Sequence, residues 1–136
     1  MRQAIISDIH GNLVALQAAL ADCDAQKVDE IVCLGDICGY GPDPILCVDL
    51  IRARCKWVLC GNHDAALFMS VPIGFNKYAR DAIEWQRSLL MPFWYSFSKK
   101  INRWKWLQDL PASKKDGDVL YVHASPRDPL MEYVEE

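Results

Sequence analysis

Three short segments of the sequence carry polar side chains that could bind a metal ion. Residues 7–12, 35–39 and 60–64 each follow an apolar run, and each combines a glycine with carboxylate, amide or imidazole groups. The chain has three histidines, at positions 10, 63 and 123, and each of them follows a predicted strand. One histidine in such a place would more often be structural, but three of them beside aspartates indicate one shared site.

The spacing of these residues suits divalent metal ions. Asp8 and His10 are two positions apart, so in extended backbone their side chains point the same way and can hold one ion. Asp36 follows the next predicted strand and could bridge two ions with its two oxygens, while Asn62 offers an amide oxygen to a second ion. Such oxygen and nitrogen ligands suit Mn, Fe, Zn, Ni or Co. For each aspartate or asparagine taken alone, a helix cap or a turn is the simpler alternative.

A β-α-β-α-β unit would bring these segments together. Apolar runs predict strands at residues 3–7, 30–34 and 56–60, and apolar residues at helical spacing predict helices at 13–23 and 44–54. Right-handed crossovers would make the sheet parallel. All three strands then end at the same edge, which is where ligands bind in open α/β sheets.

Residues 65–111 are predicted to be mainly helical. One helix is expected over residues 76–90, and a second begins near the N-cap candidate Ser98 and ends before Pro111. This region holds four of the five tryptophans. They could form a second apolar layer or an aromatic wall that stacks a base or aryl group of a substrate. Trp104 and Trp106 cannot share one helix face, so one of them should be partly exposed.

A β-hairpin is predicted after the helices. Residues 112–115 and 118–124 flank Asp116-Gly117, a dipeptide that fits a type I′ turn. The second strand would deliver His123 to the same edge as the other histidines. A further helix is expected to begin within residues 131–134.

Composition limits the class of protein. The chain has 136 residues, which favours one domain, and it is 51% hydrophobic and 24% charged, as soluble globular proteins are. A net charge of −3 without a long basic run gives no signal for nucleic-acid binding. No segment approaches the ~18 apolar residues of a membrane span, and the short apolar run near the N-terminus is not a signal peptide, so we expect a cytoplasmic protein. Six cysteines without a CxxC pair predict buried free thiols.

The motifs resemble those of the calcineurin-like metallophosphoesterases. The resemblance is carried by Asp8-Ile9-His10, by Gly35-Asp36, by residues 61–64 and by residues 123–126. Residues 7–12 together with 35–42 are most similar to the bacterial and archaeal phosphodiesterase-like branch. The match covers residues 4–64 and 119–130 in the family's order. It implies the four-layer α/β/β/α sandwich of that family, of which the predicted sheet and hairpin would form the N-terminal part.

The resemblance also implies a metal site with two ions. Asp8 and His10 would bind the first ion, Asp36 would bridge, and Asn62 and His123 would bind the second. Mn²⁺ is the expected metal, with Fe, Zn, Ni and Co as alternatives. A hydroxide between the two ions would attack phosphorus in line.

A role in proton transfer is implied for the residues that follow Asn62. His63 would contact the phosphoryl group and protonate the leaving oxygen, and Asp64 or a backbone carbonyl would orient it. These roles imply a metal-dependent phosphoesterase that acts on a phosphodiester or nucleotide-like small molecule.

The sequence departs from the family pattern in two places. The family has a further Gly-His-x-His motif that completes both metal shells, and here no histidine follows His123. We therefore expect a single domain over residues 1–136 that is the N-terminal part of a longer one, a shortened product, or a chain whose ligands a second copy completes. The alternative function is a degenerate module that binds metal or phosphate weakly, or a partner subunit, without turnover. Residues 39–41 replace the Asp-Arg-Gly of protein Ser/Thr phosphatases, which disfavours that activity.

Overall fold

The parallel sheet predicted from the apolar runs is present in the computed structural model, which describes residues 1–69 and 74–133. Its strands are β1 (Gln3–Ile6), β2 (Glu30–Cys33) and β3 (Trp57–Val58), in the order β1-β2-β3. Both pairings are parallel, with Ile5 opposite Val32 and Cys33 opposite Val58. The α/β fold class, a three-stranded parallel sheet plus a hairpin, is confirmed.

The strands are shorter than predicted because the backbone turns sharply after β1 and β2, and because the chain leaves the sheet soon after β3. β2 ends at Cys33, and Gly35 and Asp36 then take positive φ angles of 113° and 53°, which no strand can continue through. β3 was predicted over residues 56–60. The Leu59 N–H still donates to Cys33 O at 2.8 Å, but the Cys60 N–H donates to Pro111 O at 2.8 Å and so leaves β2.

Two helices connect the strands and cover one side of the core. They are α1 (Leu13–Ala25) and α2 (Pro44–Arg54). Asn12 caps α1 as expected, since its side chain accepts a hydrogen bond from Ala15 N at 3.0 Å. Leu16 of α1 and Ile51 of α2 are buried in one apolar cluster with residues of the sheet.

Three helices follow the sheet in the chain. They are α3 (Asn62–Ala66), α4 (Lys77–Leu90) and α5 (Ser98–Gln108). Ser98 is the first residue of α5 and not its N-cap, which is Phe97 without a side-chain capping bond. Arg103 fixes α5 to α2 through two bonds to the Asp49 carboxylate, Nε–Oδ1 at 2.9 Å and Nη2–Oδ2 at 2.8 Å.

The predicted hairpin is formed by β4 (Ser113–Asp116) and β5 (Val119–Val122), which pair in antiparallel orientation. Asp116 pairs with Val119, so Gly117 and Asp118 are the two central residues of the turn. Gly117 has φ 58° and Asp118 does not have a positive φ, so the type I′ prediction is wrong and the turn has the pattern of type II′. The residues from Met131 to Tyr133 are not helical, and Val134 lies outside the described residues.

The aromatic residues of the helical region do not form one packed layer. Trp94 and Phe97 are 95% and 89% exposed, whereas Trp104 and Trp106 are both partly buried against the core. None of these four residues lines the cleft that holds the histidines. The six cysteines are free thiols and only Cys55 is partly accessible, as predicted. Within residues 1–69 and 74–133, no helix has the length and apolar character needed to cross a membrane.

Candidate metal centre

Loops after β1 and β2 carry the first candidate ligands, and these loops are bonded to each other. Asp8 N donates to Gly35 O at 3.1 Å and His10 N donates to Asp36 O at 2.9 Å. Asp8, His10 and Asp36 have φ of 57°, 49° and 53°. The extended backbone assumed for Asp8 and His10 is therefore wrong. Their side chains still converge, with His10 Nε2 at 3.7 Å from Asp8 Oδ1, and three non-glycine residues in this costly region mark a strained site.

Two imidazoles are held by backbone carbonyls in the manner of metal ligands. Nδ1 of His10 lies 3.1 Å from Cys38 O, and Nδ1 of His123 lies 3.1 Å from Leu34 O. A carbonyl can only accept, so each Nδ1 carries the hydrogen and each Nε2 presents its lone pair. This second hydrogen bond is what usually fixes the ring of a metal-binding histidine.

Both lone pairs face the same carboxylate oxygen. Oδ2 of Asp36 lies 3.8 Å from His10 Nε2 and 3.6 Å from His123 Nε2. Its other oxygen, Oδ1, accepts the His63 N–H at 2.8 Å. Asp36 could therefore offer Oδ2 to a metal ion while Oδ1 is engaged by the backbone.

The electrostatics of Asp36 favour a nearby cation. The carboxylate is 2% exposed, and within the described part of the chain no Lys or Arg pairs with it. Burial, then the neighbouring Asp64 and Asp8, raises the pKa of Asp36 from 3.8 to about 8. A divalent ion would supply the positive charge that this buried carboxylate lacks.

Asn62 and His123 present a second pair of ligand atoms. Asn62 is the first residue of α3, and its Oδ1 lies 3.2 Å from His123 Nε2. When Nδ1 of His123 carries the hydrogen, both facing atoms offer lone pairs, so a cation between them would stabilise the arrangement. Candidate ligand atoms of Asp8, Asp36 and His123 all lie within 4.8 Å of one another. The donor set therefore fits divalent metal ions.

His63 lies beside these ligands without a hydrogen-bonded orienting group. Its ring centroid is 4.7 Å from that of His10, 5.1 Å from Tyr40 and 4.6 Å from Phe75. Nδ1 is buried and has no hydrogen-bond partner among the described residues. Burial, then the adjacent His10 and His123, lowers the pKa of His63 to about 4.

Asp64 does not make the hydrogen bond to His63 that the sequence suggested. It is fully buried, and its carboxylate accepts the backbone N–H groups of Cys38 at 2.9 Å, Gly61 at 3.1 Å and Ile37 at 3.3 Å. Burial raises the pKa of Asp64, and these backbone donors oppose that rise. Asp64 thus joins the loop after β2 to the start of α3 from behind the site.

A cleft of about 420 Å³ exposes the site. Its lining includes the six candidate residues Asp8, His10, Asp36, Asn62, His63 and His123. Three residues to which no sequence pattern assigned a role also line the cleft, namely Tyr40, Met131 and Tyr133. Arg127, four residues after His123, is paired with Glu132. Only the turn-rich character of residues 39–44 could have pointed to Tyr40 as part of the site.

Comparison with known proteins identifies the family to which this fold and donor set belong. Residues 1–135 match the sequence profile of the calcineurin-like phosphoesterases. The chain belongs to that family.

Two relatives align with almost the whole chain. An uncharacterized protein of Methanocaldococcus jannaschii is 38% identical over 96% of this chain and 53% of its own length. The crystal structure of a metallophosphoesterase from Sphaerobacter thermophilus has a TM-score of 0.78 and 42% identity, covering 98% of this chain and 51% of that one. The chain thus spans about half the length of these relatives.

Two further proteins match less of the chain. The crystal structure of a putative diadenosine tetraphosphatase has a TM-score of 0.57 and 26% identity, covering 82% of this chain and 44% of that one. Serine/threonine-protein phosphatase 1 of Salmonella typhimurium is 36% identical over 62 residues, which are 44% of this chain and 28% of that protein.

Proposed function

We propose that this chain is a metal-dependent phosphoesterase that acts on a phosphodiester or nucleotide-like small molecule. The observation that carries the proposal is the position of Asp36 Oδ2 between the two Nε2 atoms of His10 and His123. Three loops bring these groups together, and each imidazole is fixed by a backbone carbonyl on its far side. Such preorganisation is what a catalytic metal site requires.

The ligands divide into two sets that share Asp36. Asp8 and His10 would hold one ion with Asp36 Oδ2, and Asn62 and His123 would hold the other. We expect Mn²⁺, with Fe, Zn, Ni and Co as alternatives. When bound, such ions polarise a phosphoryl oxygen and lower the pKa of water, which supplies a nucleophile at neutral pH.

His63 would protonate the leaving oxygen. It lines the cleft beside the ligands, and the Asp64 carboxylate is engaged by backbone N–H groups, so a phosphoryl group bound in the cleft could contact the imidazole. A negative phosphate would favour the protonated imidazole and so oppose the effect of burial on its pKa.

The six free thiols fit a reducing compartment such as the cytoplasm.

Two observations support a nucleotide-like substrate, namely the apolar rim of the cleft and one structural neighbour. Met131 and Tyr133 give the rim apolar surface, and Tyr40 adds an aromatic ring beside the histidines. A nucleobase or aryl group could pack there while its phosphate faces the ligands. The similarity to a putative diadenosine tetraphosphatase supports a nucleotide-like substrate.

Hydrolysis of bis(p-nitrophenyl) phosphate with Mn²⁺ tests the proposal. Asp36→Asn should lower the rate by more than about a hundredfold, since losing even a second-shell partner of a ligand costs up to that much. His63→Ala should leave metal binding in place and slow this substrate only modestly, because p-nitrophenolate is a good leaving group, but it should slow a phosphodiester with an alkoxide leaving group by about a hundredfold or more, since it removes the proton donor. Asp81→Asn, on the exposed face of α4, is the control with the same chemical change. A folded sample that hydrolyses nothing with any divalent metal would refute the activity.

A binding module without turnover is the second candidate. Each proposed ion has three protein groups from this chain, and all three histidines already lie in the cleft. Water, a second copy of the chain or a further polypeptide would have to complete the metal shells. Calorimetry that finds one ion or none per chain, without hydrolysis, would support this candidate. Two tightly bound ions would exclude it.

A further inference from the structure

Helix α4 carries no candidate ligand, yet it holds the loop of residues 39–41 beside the site. Gln86 on this helix is fully buried. Its Oε1 accepts the Gly39 N–H at 2.8 Å, and its Nε2 donates to Gly41 O at 2.7 Å and to Gly39 O. One side chain therefore binds the peptide groups on both sides of Tyr40. A buried amide with all these partners satisfied is a strong constraint on that loop.

The loop places Tyr40 against the two histidines of the cleft. The Tyr40 ring centroid is 5.0 Å from that of His10 and 5.1 Å from that of His63. Phe75 contacts the His63 ring as well, at 4.6 Å. Because Nδ1 of His63 has no hydrogen-bond partner among the described residues, ring packing is what sets the orientation of this imidazole.

The glycines on either side of Tyr40 permit this close approach. A Cβ at Gly39 would overlap Nδ1 of His10 and lie 3.1 Å from Nδ1 of His63. A Cβ at Gly41 would lie 2.5 Å from His10 O. The loop thus lies directly on both histidines, so a displacement of its backbone would move Tyr40 relative to them.

Arg87, the residue after Gln86, binds the helix that carries His63, the other partner of the Tyr40–His63 contact. Arg87 donates to the carbonyl oxygens of Ala66 at 2.6 Å, Leu67 at 2.8 Å and Met69 at 2.7 Å. These groups lie at the C-terminal end of α3, the helix whose second residue is His63. Helix α4 therefore binds both parts of the contact. Gln86 holds the loop of Tyr40, and Arg87 holds the C-terminal end of the helix that carries His63.

We propose that Gln86 is a positioning residue: by holding the backbone on both sides of Tyr40 it keeps the Tyr40 ring against His63 and so fixes the direction of that imidazole. In this chain aromatic packing then orients His63 in place of a hydrogen-bonded carboxylate. The catalytic consequence rests on the proposed function, whereas the packing itself does not.

The first test follows His63 by NMR in the metal-free protein at pH 8. Neighbouring aromatic rings shift its ring-proton resonances, and His63→Ala identifies them among three histidines. Tyr40→Leu and Gln86→Glu should move these resonances towards their values in the unfolded chain, while Tyr40→Phe should leave them in place. Gln86→Glu preserves volume and the acceptor for Gly39 N–H but loses both donated bonds. Tyr40→Leu changes a half-exposed residue and so keeps the test available if Gln86→Glu does not fold.

The second test measures turnover of a phosphodiester with an alkoxide leaving group in the presence of Mn²⁺. Tyr40→Leu and Gln86→Glu should lower kcat by about tenfold with KM and metal stoichiometry unchanged, because a misdirected proton donor slows the chemical step. Tyr40→Phe, which keeps the ring, should have the kcat of the parent protein. Tyr95→Leu, an exposed tyrosine outside the cleft, is the matched control.

The outcomes separate the two proposals. Unchanged His63 resonances in folded Tyr40→Leu and Gln86→Glu overturn the positioning role. The expected shifts in a parent protein that shows no turnover support the packing and refute the proposed activity. Equal losses of kcat in Tyr40→Phe and Tyr40→Leu would also overturn the role, since they would point to the hydroxyl group and not to the ring.

Discussion

Replacing Gly61 with alanine should damage the metal centre through packing alone. Gly61 is the N-cap of α3 with φ −92° and ψ 172°, a conformation that alanine adopts without strain. An added Cβ would overlap Oδ1 and the backbone N of Asp36 and would lie 2.7 Å from its Cγ. Asp36 or the start of α3 must therefore move. Either movement breaks the bond between Asp36 Oδ1 and His63 N, which is 2.8 Å long.

Two terms set the expected magnitude. Forcing an extra methyl group into a packed site costs about 1–3 kcal/mol. Leaving the buried His63 N–H without its acceptor costs about 1–3 kcal/mol. We expect the free energy of unfolding to fall by about 3–5 kcal/mol, a large part of the ~5–15 kcal/mol that holds a typical domain folded. Mn²⁺ affinity should fall as well, because Oδ2 of Asp36 moves with the same carboxylate.

Urea denaturation and calorimetry with Mn²⁺ measure both effects, and Gly74→Ala provides the control. A Cβ at Gly74 would meet nothing within 4 Å, so the same chemical change should leave stability equal or raise it by up to about 1 kcal/mol. Unfolding free energies for the two variants that agree within ~0.5 kcal/mol would contradict the packing argument. Unchanged Mn²⁺ affinity in Gly61→Ala would contradict its link to Asp36.

Three further predictions concern other parts of the molecule. Arg103→Met should lower the free energy of unfolding, measured by urea denaturation, by about 2–3 kcal/mol. This is at or just below the range for a broken buried ion pair, because Asp49 is partly exposed and keeps Lys99 as a partner. An equal loss in an Asp49→Asn background would argue against the pair. In urea denaturation, the metal-free protein should lose stability as pH rises from about 6.5 to 8, since the pKa of Asp36 is raised to about 8 in the folded state, and Asp36→Asn should remove that loss; between about 4 and 6.5 the lowered pKa of His63 acts in the opposite direction. Iodoacetamide at pH 8 should label the native chain slowly and all six cysteines after denaturation, because burial raises the pKa of Cys55 and Cys60 to about 12; rapid native labelling would refute their burial.

Much of the fold could be predicted from local patterns. Apolar runs followed by glycine and polar residues located β1, β2 and β3, and Asn12 marked the start of α1. The strands are parallel because each crossover contains a helix, and parallel strands end at one edge whatever their exact length. This is why the candidate ligands could be grouped although the strand ends were misplaced.

The finer errors come from backbone geometry that no local pattern encodes. The positive φ angles of Asp8 and Asp36 are stabilised by hydrogen bonds between loops that are distant in sequence. The exposed position of Trp94 depends on what packs beside it, and hydrophobicity alone predicted burial. In the hairpin, the central residues of the turn are Gly117 and Asp118 and not the predicted Asp116 and Gly117. This shift of one residue was enough to change the turn type.

The sequence by itself determined which chemistry the site can perform, because residue types and their positions after strands define the donor atoms. Only the tertiary structure decided how those atoms are aimed. It placed one oxygen of Asp36 between two imidazoles, turned Asp64 towards backbone N–H groups and surrounded His63 with aromatic rings. Gln86 and Gly39 are 47 positions apart, and their contact forms only when α4 packs beside α2. Such contacts depend on the packing of whole elements, and they set the direction of each candidate site residue.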